Sequence, residues 1–572
     1  MSGVAGGAKV RTNKSSVRWV AALAVFALLV AACGFGEVEQ LDQAEAEQRL
    51  DELVDDIGWQ DNPVTRRAPV SLDTQDLAET LPDIDIFPIV GSPRTGGNQV
   101  VAEIFVSTEK SGEGTDGWMV DVAESFNGSN QTLSDGSGAQ VAIRRIASGT
   151  GYQFIAAGRD LPAGFSPSNH LWIEMAKVHR SMTPVREQLV PNVAGLVMKS
   201  ETVEALAAKY GVLDAATLIE AVVAGDVVMG YTNPFASSTG LNFLLSVLDD
   251  FADGDEDRLL APDVASVFET FQENVPFVAL TTLQIRESVE KENGTLDAFV
   301  MEYQTYVNTD SLRSGFEFIP FGINHDNPLY AVEGASAQEL EVLELFAAHA
   351  DSQEFRDRAA DLGFEPPEYD STVAIPSGQT LIEAQQLWKD KKDAGRPVYA
   401  VFVSDVSGSM AGTRILAVST ALESALGFIS PTSSVGMVEF SDVTSKRLDI
   451  AQFDLNQQGR FAAAIEEMDA NGGTAMYDGI LVGLSMLVDA RNADPNIKPL
   501  LFVLTDGETQ SGLEFDDAAP VIAGLGIPVY TVGFEADLDE LARLSSLVEA
   551  ASINATEEDV EFKMASLFNA GT

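Results

Sequence analysis

YAVFVSDVSGSMAGTRI, residues 399–415, runs from an apolar stretch straight into three oxygen-bearing side chains, Asp405, Ser407 and Ser409, just before a helical pattern begins. The preceding VYAVFVS has the continuous apolar character of a strand buried on both faces, and so does LLFVLT, Leu500–Thr505, which is followed by Asp506. In an open parallel sheet the functional loops lie at the carboxyl ends of the strands, so the two carboxylates are expected on one edge. Between them comes NGGTAMYDGILVGLSMLV, residues 471–488, where Gly472 and Gly473 permit a tight turn ahead of a helix carrying Ile480, Leu484 and Leu487 on one side. Thr474 then stands at the start of that helix, with its hydroxyl at the same edge.

Two carboxylates and three hydroxyls converging on a rim are hard oxygen donors, suited to Mg2+, Mn2+ or Ca2+ rather than to zinc. Two formal negative charges leave a bound divalent ion able to attract a further oxygen from outside. DVSGSM, Thr474 in GGTAM and Asp506 in LTDGE resemble, in order and context, the metal-ion-dependent adhesion site of von Willebrand factor A domains. The resemblance covers about residues 396–572, and its D-x-S-x-S core is complete. It implies that Ser407, Ser409 and Thr474 contact the ion directly or through a switch between states. It also implies that Asp405 and Asp506 act directly or through water, and that a carboxylate from a partner protein completes the coordination. Taken singly, SGS and TDG read as no more than turns.

Composition narrows the remaining classes. Acidic residues number 87 against 35 basic ones, a formal net charge of −52, which leaves little to neutralise a row of phosphates and excludes nucleic acid as a partner. The four histidines, His170, His179, His325 and His349, all precede the C-terminal block, so Ser409 has no local base for a catalytic triad. No G-x-S-x-G elbow, P-loop or zinc-ligand spacing is present. The acidic run DDFADGDEDRLL places Phe251 at a ligand position when Gly254 is aligned as the glycine of a calcium loop, and reads as a solvated segment. The chain is therefore expected to bind rather than to catalyse.

At the N-terminus Lys9, Arg11, Lys14 and Arg18 precede an apolar run from Trp19 to Ala32, shorter than the roughly 20 residues of a membrane-spanning helix. It ends VAAC at Cys33, the only cysteine, and resembles the lipobox of bacterial lipoprotein signal peptides, with Val30 where leucine is commoner. That implies a signal peptide over 1–33, lipid attachment at Cys33 and an extracytoplasmic, membrane-anchored location; cleavage elsewhere or a short anchor are the alternatives. A lone cysteine allows no intrachain disulfide. Residues 34–95 read as an acidic stalk or docking segment, with Leu50, Leu53, Val54 and Ile57 at helical spacing.

Between these ends, residues 96–365 alternate apolar strands with helical patterns, as in QVVAEIFVS, AQVAIRRIA, VAGLVM and DVVMGYTNP, which predicts a mostly parallel sheet in two lobes. Strand ends are followed by Ser107 and Thr108, by Ser148, by Ser166 and Ser168, and by Ser237, Ser238 and Thr239, each ahead of a helix. Helix starts of this kind favour anions or polar solutes, although serine and threonine also cap helices with no ligand. The layout is similar to two-lobed extracellular solute-binding proteins of the periplasmic type, especially those for phosphate, molybdate or sulfate. FEFIPFGINHDNPLYAV and SQEFRDRAADLGF fit the closing part of that family. Arg144 and Arg145 sit within a strand, with one of them facing the crevice or both at an exposed edge, while His325 reads as a loop residue. Residues 366–397 form a linker with a helix, and 398–572 the C-terminal domain.

The expected fold is thus α/β: a two-lobed domain of periplasmic-binding type followed by a Rossmann-like doubly wound domain. Two functions compete. One is an anchored binding protein that captures a partner's acidic side chain through a divalent ion. The other is the solute-binding lipoprotein of an ABC-type transport system for an oxyanion or small polar solute.

Overall fold

A computed structural model describes residues 41–571 apart from 71–79, 95, 212–214, 274, 276, 280–284, 286–295, 372, 508, 535–540, 542, 545–546, 548–551 and 557–558. The signal segment and Cys33 lie outside the described residues.

Alternation within single strands builds the C-terminal domain. In Val398–Asp405, Ala400 and Phe402 point into one core while Val401 and Val403 point into the other. Lys498–Thr505 repeats the pattern, with Leu500 and Phe502 on the first side and Leu501 and Val503 on the second. A strand whose two faces are both apolar belongs in the middle of a sheet covered by helices on each side. Phe402 and Phe502 stack with centroids 5.0 Å apart, and Phe568 meets Phe402 edge-on at 4.9 Å.

The sheet runs Gln60–Asp61, Thr444–Gln452, Ser434–Phe440, Val398–Asp405, Lys498–Thr505, Val529–Phe534, Ser552–Ala555. From Ser434–Phe440 to Ser552–Ala555 every pair is parallel; Thr444–Gln452 returns antiparallel. Helices Met476–Ala493 and Phe515–Leu525 cover one face, and Thr413–Ala425, Leu455–Glu466 and Val560–Gly571 the other.

Residues 41–70 complete this domain from the other end of the chain. Helix Gln43–Asp56, started by a reciprocal Asp42–Glu45 capping box, buries Ala46, Leu50, Leu53 and Val54 against the Met476–Ala493 side. The helices come so close that a Cβ at Gly524 would lie 2.7 Å from the Ala46 methyl. Gln60 and Asp61 then pair with Ser445 and Lys446, and Val64 and Ala68 enter the opposite core.

Two mixed sheets form the lobes of the middle domain. The first runs Ile89–Gly91, Gly138–Arg145, Gln99–Val106, Gly164–Ser166, Leu329–Val332, Met182–Arg186; the second runs Phe316–Asn324, Val193–Lys199, Ala298–Glu302, Met229–Thr232, Phe277–Ala279. They are less parallel than expected, because strands such as Leu329–Val332 and Val193–Lys199 lie next to the two crossings between lobes and pair antiparallel. The α/β class and the combination of a two-lobed domain with a doubly wound domain hold.

The two crossings, 186–193 and 324–329, are laced together: His325 N donates to the Asn192 carbonyl at 3.0 Å, and the Asn327 amide donates to Val190 at 3.0 Å. Helix Gly378–Lys391, in the expected linker, buries Leu381 and Trp388. The Trp388 indole donates to the Tyr231 hydroxyl at 2.7 Å, and that hydroxyl donates to Gln272 at 2.9 Å.

Candidate functional site

At the carboxyl edge of the C-terminal sheet, Asp405 is 1% exposed. Its Oδ1 accepts from the Ser407 N–H at 2.7 Å, and its Oδ2 accepts from the Thr505 hydroxyl at 2.6 Å. Thr505 ends the neighbouring strand, directly before Asp506, and sequence reasoning passed over it as an ordinary strand residue. After Ser407 the chain makes one tight turn, Gly408–Met410. The Ser409 hydroxyl donates to Asp506 Oδ1 at 2.8 Å, so the 2.9 Å contact between Ser407 and Ser409 carries the Ser407 proton toward Ser409. The result is a directed relay of oxygens, Ser407 to Ser409 to Asp506.

Backbone bonds bring the Thr474 loop to the same place. Gly408 N donates to the Gly472 carbonyl at 2.9 Å, and Asn471 N to Val406 at 2.8 Å. Gln510 N and Ser511 N both donate to the Thr474 carbonyl, at 2.8 and 3.1 Å, which ties that loop to the one after Asp506. Gly472 has φ of +81°, the left-handed region, and a Cβ there would stand 2.6 Å from the Asp442 carboxylate. Asp442, exposed and in the next loop, was also missed; its only sequence signal is its position two residues past the strand end at Phe440. Arg414, on the first turn of helix Thr413–Ala425, reaches back to Asp506 Oδ2 at 2.7 Å.

Burial is the main cause that pushes the Asp405 carboxyl above its ordinary range. The bonds from Thr505 and Ser407 oppose this, and the nearby Asp506 carboxylate adds to the push. A buried carboxylate held this way gains from a neighbouring cation. Among the described residues no group of three or more His, Cys, Asp or Glu is placed to hold a metal. The donors at this rim are instead mostly hydroxyls, a set that fits a hard divalent ion keeping some of its water.

The crevice residues have a different fate. Lys110, fully buried, donates from Nζ to the Ser107 hydroxyl at 2.6 Å and to the Ser166 carbonyl at 2.8 Å. The Ser168 hydroxyl donates to Glu109 at 3.4 Å, and Ser148 accepts from the Ser168 N–H at 3.4 Å. On the other lobe Ser237 caps its helix through Gly240 N, Ser238 accepts the Trp172 indole N–H at 2.9 Å, and Thr239 is buried. Thr108 begins the helix Thr108–Ser111 that carries Glu109 and Lys110. Of these hydroxyls, Ser166 is buried without a hydrogen-bond partner.

Across the lobes, Glu302 accepts from His325 Nδ1 at 2.9 Å and from Asn192 at 2.7 Å. Asn169 and Asn242 both donate to His325 Nε2 at 3.2 Å, consistent with a proton on Nδ1. His325 is a loop residue, as expected, but fully buried. Arg144 turns to Glu103 at 2.6 Å and to the carbonyls of Ile84 and Phe87. Burial foremost, and then the Glu302 carboxylate, push the Glu109 carboxyl up, while burial pushes Lys110 down.

Residues 400–569 match the family described as von Willebrand factor type A domain, in agreement with the resemblance of this segment. Inter-alpha-trypsin inhibitor heavy chain H2 of Sus scrofa is 26% identical over 160 residues, covering 26% of this chain and 17% of that protein. The chain thus spans about a sixth of the length of that relative. Among solved structures, a von Willebrand factor type A protein from Catenulispora acidiphila aligns at 19% identity, covering 30% of this chain and 42% of the other, with a TM-score of 0.28. A periplasmic thiamin binding protein aligns at 10% identity over 52% of this chain and 98% of its own, with a TM-score of 0.36. Among the described residues no helix is long and apolar enough to cross a membrane.

Proposed function

We propose that this chain is an extracytoplasmic binding protein, anchored through lipid at Cys33, whose C-terminal domain captures an acidic side chain of a partner protein through a divalent ion. In this reading Asp405, Ser407, Ser409, Thr474 and Asp506 hold Mg2+, or Mn2+ or Ca2+ in its place, and leave a position open to the partner's carboxylate. The observation that carries it is the relay from Ser407 through Ser409 to Asp506, beside buried Asp405 and laced to the Thr474 loop. Supporting it, the loops of Ser407–Ser409, Thr474 and Asp506 are tied to one another by backbone and side-chain bonds, and the ion would balance the charge of the Asp405 and Asp506 carboxylates. The ion would also shield the partner's carboxylate from a strongly acidic chain.

Asp405→Ala should abolish Mg2+-dependent capture of partner protein from a detergent extract while the domain keeps its fold by circular dichroism. Capture that persists undiminished in chelator would sink the reading.

A second reading, delivery of a solute to a transport system, draws on Ser166, whose buried hydroxyl lacks a partner. Calorimetry against oxyanions, amines and sugars separates the two readings: a sub-millimolar ligand supports solute delivery, and silence across the panel favours the first.

A further inference from the structure

Helix Thr413–Ala425 opens with a positive charge where local physics prefers a negative one. The helix dipole favours acidic groups in the first turn, yet this helix has none there and carries Arg414 as its second residue. Gly412, with φ of +89°, turns the chain so that this first turn lies beside the rim. The guanidinium Nη1 sits 2.7 Å from Asp506 Oδ2 and 3.4 Å from the Ser409 carbonyl. Asp506 is therefore held on both oxygens, Oδ1 by the Ser409 hydroxyl and Oδ2 by Arg414. The Asp506 side chain is fully buried, while that of Arg414 is 34% exposed and has a way out to solvent.

We propose that Arg414 is a built-in competitor of the divalent ion: its guanidinium neutralises Asp506 when the rim holds no metal and must leave Oδ2 when metal binds. The inference rests on the metal reading given above. Two cations drawn to one carboxylate repel each other, so an ion coordinated between Ser409 and Asp506 raises the energy of the ion pair with Arg414. The same contact closes the Ser409 turn onto the Asp506 loop, which keeps the rim ordered without an ion. Arg414 is thus a positioning residue that sets how much metal is needed to open the site to a partner.

The test uses the full chain after chelator treatment, titrated with MgCl2 and with MnCl2 in the calorimeter, for wild type, Arg414→Gln and Arg414→Lys. Arg414→Gln should bind the ion about two- to fivefold more tightly, the scale of one partly exposed ion pair. Arg414→Lys, which keeps the charge but not the fork, should fall between the two. Thermal melting supplies a second readout: Arg414→Gln should melt lower than wild type in chelator, and the gap should close in saturating Mg2+. A wild type that binds metal while Arg414→Gln binds it no more tightly overturns the inference and leaves the metal reading standing. So does a melting gap that stays the same with and without Mg2+, because a purely structural contact behaves that way. Silence from wild type and both variants removes the metal reading itself, and the competitor with it.

Discussion

The C-terminal rim and the inter-lobe crevice are built from the same sequence material, serine and threonine placed between a strand end and a helix start. They end in opposite conditions. In the crevice the hydroxyls serve the protein's own buried groups: Ser107 receives Lys110, Ser238 receives Trp172, and Ser237 caps its helix. At the rim the hydroxyls pass protons toward one another and stop at a carboxylate, Ser407 to Ser409 to Asp506. The difference lies in the carboxylates. Asp405 and Asp506 share an edge where the cation beside them, Arg414 on Asp506, is partly exposed, whereas Lys110, next to Glu109 in sequence, is fully buried and committed to Ser107, Ser166 and Pro167. On the proposed reading, hydroxyls at helix starts serve a ligand where the neighbouring cation is able to withdraw, and serve the fold where it is locked in.

The strongest test of that contrast is Lys110→Met. The substitution leaves the Ser107 hydroxyl and the Ser166 and Pro167 carbonyls without their donor, and leaves Glu109 without its compensating ammonium. Leaving three buried acceptors without their donor should cost about 3–5 kcal/mol in urea unfolding, since each costs about 1–3 kcal/mol. A loss below about 1 kcal/mol would mean the ammonium is not relied on for folding. The crevice would then resemble the rim, with charge available to a ligand.

How far the sequence announced these two regions follows from the range of the interactions. The two-faced apolar strands 398–405 and 498–505 are local patterns, and they placed Asp405 and Asp506 on one edge because parallel strands end on the same side. The double glycine announced the turn before helix Met476–Ala493, though the helix begins two residues after Thr474. Arg414 was not legible, because its role depends on Asp506, 92 residues away. Lys110 and Glu109 looked like an ordinary charged first turn, and the groups that engage them once buried, Ser166, Pro167 and Ser168, lie more than 50 residues on. The helix Gln43–Asp56 was legible as amphipathic, but the surface that takes its apolar face is formed more than 400 residues later, as the Arg491–Glu47 contact shows. Amphipathicity specifies that a face must be covered and not by what.

A second test asks whether the C-terminal domain is as free of internal charge strain as its rim suggests. Glu439, on strand Ser434–Phe440, is buried with one carboxylate oxygen lacking a partner and with Arg447 3.5 Å from the other. Burial pushes its carboxyl up to about 7. The folded domain then keeps a proton that the unfolded chain releases from its ordinary range upward. Stability should fall by about 3 kcal/mol as pH rises from about 4.5 to 7 and level off above that. Glu439→Gln should remove this slope in melts followed across pH. A slope left intact would assign it to carboxyls elsewhere, Asp405 among them.

Ser409→Ala is expected to cost the least stability and to discriminate best. The substitution removes the donor to Asp506 Oδ1 and the acceptor for the Ser407 proton, but Ser409 itself is exposed, so water can take its place. The cost should stay below about 1 kcal/mol, since a replaceable hydrogen bond contributes little net free energy. If the relay serves an ion, the same change removes a donor, and Mg2+ affinity should drop at least about tenfold. The two readouts part company only if the hydroxyl is there for a ligand. A stability loss above about 2 kcal/mol with unchanged Mg2+ binding would show the hydroxyl to be structural, in the way that Ser107 and Ser238 are. The contrast between rim and crevice would then dissolve, because both would be using their serines to hold the fold together.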